Sequence, residues 1–153
     1  MRPPLLFLPL AALLSCQSSA GTNHTFKDEG KVCAFPQGVT PGNAFLTPTD
    51  PVMFAAGGPA TITVMAPACL SSSCSKDRKT ECSVVLAGNV LQVSSMGSFR
   101  DEGDACTADC GALVATCVTP SLPAGTYTLQ HGSDQITLTI PSTVPPPCVG
   151  KAP

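Results

Sequence analysis

The chain has 153 residues, with 16 prolines, 13 glycines, 9 cysteines, one tyrosine and no tryptophan, and this density of helix-interrupting residues excludes a long helical bundle. Charged residues make up 12% and hydrophobic ones 43%, too apolar a balance for a disordered tail and one that suits a single folded domain at this length. Eight basic against ten acidic side chains leave a net charge of −2, which excludes the basic surface that nucleic-acid binding requires.

Residues 1–15 read as a secretory signal peptide. Arg2 supplies the positive start and Leu5 to Leu14 the apolar run, which is about half the length needed to span a bilayer. Leu13, Leu14, Ser15 and Cys16 then resemble the lipobox of bacterial lipoproteins, with an apolar residue at −3 and a small one at −1 before the cysteine. That resemblance implies cleavage before Cys16, a diacylglyceryl group on its sulfur and an acyl chain such as palmitate on its new amino group. Several chains hold a protein at a membrane where a single one binds only marginally. The resemblance further implies a place in the bacterial cell envelope, and Gln17 rather than Asp after the lipidated position implies passage to the outer membrane. The other reading of the same stretch is a signal cut after Ala20, with Ser18 and Ala20 at the small-residue positions. The protein would then be secreted, and Asn23-His24-Thr25 would be a glycan acceptor. Residues 16–25 read as the lipidated cysteine and a flexible polar tether with an r.m.s. span of roughly 15 to 18 Å, and residues 26–153 as the folded domain.

Setting Cys16 aside leaves Cys33, Cys69, Cys74, Cys82, Cys106, Cys110, Cys117 and Cys148, an even set that predicts four disulfides in an exported chain. Cys33 with Cys148 would tie the ends together, the other six closing shorter loops between residues 69 and 117. The spacings C-x4-C-x7-C and C-x3-C-x6-C contain no C-x2-C knuckle, so neither zinc nor a thioredoxin-type redox centre is expected.

In chain order, strands are expected around Lys31 to Phe35, Val52 to Ala55, Ala60 to Met65, Ser83 to Leu86, Val90 to Val93 and Leu113 to Val118. Ala87-Gly88-Asn89 turns one hairpin, in which Val84 and Leu86 face Leu91 and Val93, and period two points Cys82 inward with Val84. Tyr127 and Leu129 alternate with Thr126, Thr128 and Gln130; His131-Gly132-Ser133-Asp134 supplies turn chemistry; Ile136, Leu138 and Ile140 then alternate with polar residues, giving a second hairpin with one wet face. Prolines crowd the links, notably between Phe35 and Pro51 and at Pro145 to Pro147, where they limit edge pairing.

Leu122-Pro123-Ala124-Gly125-Thr126-Tyr127 resembles the tyrosine corner of immunoglobulin-like sandwiches, which implies that the Tyr127 hydroxyl bonds back to the backbone a few residues upstream. Leu129 stands where antibody domains place a cysteine, and no tryptophan is present. The fold expected is therefore all-β: an antiparallel, disulfide-stapled immunoglobulin-like β-sandwich of about seven strands.

Candidate sites are few. Asp101, Glu102, Asp104 and Asp109 offer hard oxygen ligands suited to calcium, though a solvated loop pinned by Cys106 and Cys110 accounts for them. Lys76, Asp77, Arg78, Lys79 and Glu81 read as a solubilising loop. His131, Ser133 and Asp134 hold the residue types of a hydrolase triad but are near-consecutive in a turn, whereas triads converge from separate elements. Met53 and Met65 read as core filler rather than copper ligands. The expectation is a non-catalytic, lipid-anchored cell-envelope protein, a binding or structural module with no cofactor and no metal, meeting the membrane through Cys16. The alternative is a secreted disulfide-rich protease inhibitor or toxin-like domain presenting the loop from Ser71 to Glu81.

Overall fold

The computed structural model describes residues 21–39, 49–103 and 105–152; the signal stretch, Cys16, the first residues of the tether and Asp104 lie outside them. All regular structure among the described residues is strand: β1 (Thr22–Lys27), β2 (Lys31–Pro36), β3 (Val52–Phe54), β4 (Ala60–Met65), β5 (Ser75–Ala87), β6 (Val90–Asp101), β7 (Val114–Val118), β8 (Gly125–His131), β9 (Asp134–Ile140), β10 (Ser142–Val144) and β11 (Cys148–Val149). Eleven strands occur among the described residues where about seven were expected: eight lie on the segments named above, and β1, β10 and β11 were missed because their few apolar residues make a weak alternation. β1 also corrects the tether: residues 22–25 lie in a sheet rather than in a flexible linker.

The two expected hairpins form in the expected register. Gly88, at φ +60°, turns β5 into β6, with Leu86 opposite Leu91 and Val84 opposite Val93. Tyr127 lies opposite Leu138 and Leu129 opposite Ile136 in β8 and β9. The first sheet is built on the long β5–β6 hairpin. Two shorter strands lie end to end along the free side of β6: β8 beside Val90 to Val93, and β1 beside Met96 to Asp101. β9 completes that sheet outside β8. The β6–β8 pairing is parallel, which corrects the wholly antiparallel expectation; the long connection through β7, in the other sheet, brings the chain back in the same direction. The second sheet runs β11-β2-β4-β7, and β3 pairs with β10 in a small ribbon.

The inner faces of the two large sheets share one core, in which Val32, Ala34, Ile62 and Val64 meet Leu91, Val93, Leu129 and Leu138. A smaller cluster of Ala66, Leu70, Phe99 and Leu113 fills the end where β1 runs, with Phe26 packed against it. Burying a side chain such as Ile62 contributes roughly 2 kcal/mol, so the main core carries most of the cohesion. Four bridges brace it. Cys33–Cys148 joins β2 to β11 and Cys82–Cys117 joins β5 to β7 across the sheets, while Cys69–Cys110 and Cys74–Cys106 pin the loops around the smaller cluster. The expected tie between the ends is present, the other six cysteines pair within residues 69–117, and Cys82 faces the core. Four disulfides point to an extracellular or envelope-exposed protein rather than a cytoplasmic one.

Candidate functional site

The most closely built polar point lies where β1 and β8 meet on β6. β1 belongs to the first sheet and β2 to the second, so residues 28–30 cross between them. Asp28 adopts φ +53°, a left-handed conformation that Asp tolerates because its short side chain bonds locally. It extends the β1 pairing by one step: its N–H donates to the Ser95 carbonyl at 3.0 Å, and the Ser95 N–H donates back to Asp28 Oδ1 at 2.8 Å. Two glycines clamp this crossing. A Cβ on Gly132, at φ +56°, would strike the Asp28 carbonyl oxygen, and one on Gly150, at φ +87°, would strike that of Gly30. Only glycine lets the backbones approach so closely with positive φ.

His131 closes β8 beside this crossing. Period two turns it inward after Tyr127 and Leu129, and it is 1% exposed. Its Nε2 lies 2.8 Å from Ser95 Oγ, while Nδ1 has no hydrogen-bond partner among the described residues. Of the two neutral tautomers we assign the one protonated at Nε2. It donates to Ser95 Oγ and leaves Nδ1 as a bare acceptor, whereas the other would bury an unpaired N–H, the costlier defect. Burial holds the imidazole below its ordinary pKa, outweighing the opposite pull of Asp28 and Asp134. The pair Ser95–His131 therefore has serine accepting rather than giving its proton, the reverse of what an activated nucleophile needs. An open notch of about 360 Å³ reaches the cluster at Ser95 and is walled by Lys27, Asp28, Glu81, Ser94 and Met96 among others.

The other candidates scatter. Glu102 pairs with Arg100 and Asp109 accepts from the Ser72 N–H and the Thr107 hydroxyl, bonds that hold the Asp109 carboxyl below the usual range. Asp101 lies instead beside the Cys74–Cys106 bridge. These carboxylates thus turn to separate neighbours instead of converging on a calcium ion. Lys76 to Glu81 form no loop: they are the start of β5, with a bulge between Lys76 and Lys79 and an Asp77–Arg100 ion pair at 3.0 Å. This also removes the protruding Ser71 to Glu81 loop on which an inhibitor would depend, since from Ser75 onward it is sheet. Met65 is core, but Met53 is 69% exposed, because its neighbour Phe54 takes the inward position in β3. The Tyr127 hydroxyl donates to the Pro123 carbonyl at 2.8 Å, the upstream bond that a tyrosine corner implies.

Ser95 and Asp28 were not candidates by sequence. Alternation carries the missing signal, since the period that buries Val93 also turns Ser95 inward, and Leu129 does the same for His131. Comparison with protein-family models, with curated proteins and with solved structures finds no match to this chain.

Proposed function

We propose that this is an exported, lipid-anchored protein of the bacterial cell envelope, a non-catalytic binding or structural module built on an immunoglobulin-like sandwich. The observation that carries this reading is the cysteine accounting. The eight domain cysteines are paired with one another, which leaves Cys16, the cysteine of the lipobox-like stretch, with no bridge to complete. Lipidation gives that ninth sulfur a role. The immunoglobulin-like identity is favoured by two sheets over one core and by the Tyr127 corner. The Ser95–His131 tautomer favours a non-catalytic role, and Gln17 favours the outer membrane.

On this reading five residues separate Thr22 from Cys16, at most about 18 Å of extended chain. The disulfide-pinned end of the sandwich then faces the lipid headgroups, and the Gly88 turn points away from them. Intact mass of the membrane-extracted protein tests the proposal: a chain beginning at Cys16, acylated and lacking eight thiol hydrogens, is expected, and Cys16→Ala is expected to leave the membrane fraction. A mature chain beginning at Gly21 with no lipid would overturn it.

A further inference from the structure

We propose that β1 is an acid-released latch: protonation of His131 frees residues 22–30 from the first sheet while the disulfide-stapled remainder stays folded. Three features of the geometry support this. First, the His131 ring is enclosed and has one bond, to Ser95. A second ring proton at Nδ1 would meet no acceptor among the described residues, and an uncompensated charge in such a place is strongly unfavourable.

Second, the crossing is fastened to the Ser95–His131 pair. Asp28 clasps Ser95 through two hydrogen bonds, and its carbonyl sits against Gly132, the residue after His131. Ser95 also borders the open notch, while the ring behind it is buried, so the crossing, held at Ser95 and against Gly132, is the element beside the pair that a hydrated ring would displace. Third, β1 is an edge strand held by pairing and packing alone. Among the described residues it pairs with β6 alone, its rings Phe26 and His24 lie on Phe99, and the first bridged cysteine, Cys33, comes only after it. Lifting residues 22–30 breaks no covalent link and leaves the main core in place.

The ionisable groups on the elements around the pair are His24, Lys27, Asp28 and Glu29 on β1 and its turn, Lys31 opening β2, Glu81 on β5 and Asp134 on β9. Asp28 and Asp134 favour the charged ring, and burial outweighs both. The closed-state pKa is thus below that of the opened, hydrated ring. Between the two values the opening equilibrium rises about tenfold for each unit of acidification. On the lipid-anchored reading, and only there, release has a mechanical result. The free tether grows from the five residues before Thr22 to the fourteen before Lys31, or from at most about 18 Å to at most about 50 Å. The latch itself does not depend on the anchor.

Hydrogen–deuterium exchange of the disulfide-intact protein at about pH 7.5 and about pH 5, corrected for intrinsic rates, reads the latch directly. Residues 22–30 are expected to exchange faster at the lower pH, by at most about tenfold per unit of acidification, while β4, β8 and β9 stay protected. The response is expected to vanish in His131→Gln and to persist in His24→Phe. Unchanged protection of residues 22–30, loss spread evenly over all strands, or a response abolished by His24→Phe would overturn the proposal. Should His131→Gln not fold, an NMR titration of His131 in the native protein decides. Its midpoint is expected to coincide with the loss of β1 protection, and an imidazole that titrates while β1 remains protected refutes the latch.

Discussion

Replacing both Cys33 and Cys148 by alanine removes the bridge with the longest span, 115 residues. The chain-entropy relation assigns an isolated loop of that size about 4.8 kcal/mol at 25 °C. The loop is not isolated, however: a shorter covalent route runs through Cys69–Cys110, reducing the effective length to about 75 residues and the expected loss to about 4.5 kcal/mol. Nesting acts far more strongly on Cys74–Cys106, which lies inside Cys69–Cys110. With the outer bridge intact its effective loop is only about ten residues, so its removal should cost about 2.7 kcal/mol, well below the 3.7 or so expected of an isolated loop of its span. Guanidinium denaturation of the oxidised wild type and the two double variants checks the ordering, and the Cys33/Cys148 variant should also show a larger m-value because its unfolded state is more expanded. Equal losses for the two variants, or a loss under about 1 kcal/mol for Cys33/Cys148, would refute the nested-loop reasoning.

Tyr127→Phe deletes the hydroxyl that donates to the Pro123 carbonyl and should lower stability by about 1 kcal/mol in a urea titration, with the sheet spectrum unchanged. Gly132→Ala forces a side chain onto a φ of +56° and against the Asp28 carbonyl, so a loss of at least about 2 kcal/mol and faster exchange of the Asp28 amide are expected. Ile62→Ala, at a site with 0% exposure, should cost roughly 3 to 4 kcal/mol by calorimetry. Met53→Ser, at 69% exposure, should change stability by less than about 0.5 kcal/mol.

The part of the fold legible from sequence is the part governed by strong alternation and by turns. Leu86, Val84, Leu91 and Val93 fall on one face by period two, and Gly88 supplies the positive φ that closes their hairpin. Nothing comparable marks β1. Thr22 to Lys27 offers only Phe26 as a large apolar residue, and the strand exists because β6 is long enough to extend past the end of β8 and leave a free edge there. The parallel pairing was illegible for the same reason. It arises from which edges remain free once β7 has joined the second sheet, a property of the assembled topology rather than of any segment. Lys76 to Glu81 misled because charge runs are typical of loops, yet an edge strand with a bulge favours the same residues as protection against unwanted pairing.

His131 shows where local reasoning about the site stopped too early. Its neighbours Gly132 and Ser133 do form the hairpin turn, and that context made the histidine look like part of a polar, exposed corner. The alternation used for Tyr127 and Leu129 runs one step further, however, and places the ring under the crossing of Asp28, 36 residues in sequence from the Ser95 hydroxyl it meets. A buried imidazole with one partner tolerates little change: it stabilises the junction only while neutral. On the proposed latch, this enclosure makes the attachment of β1 depend on the protonation state of the ring. A polar residue that a period-two pattern turns into a core is thus better read as a constraint on the strands above it than as an exposed turn residue.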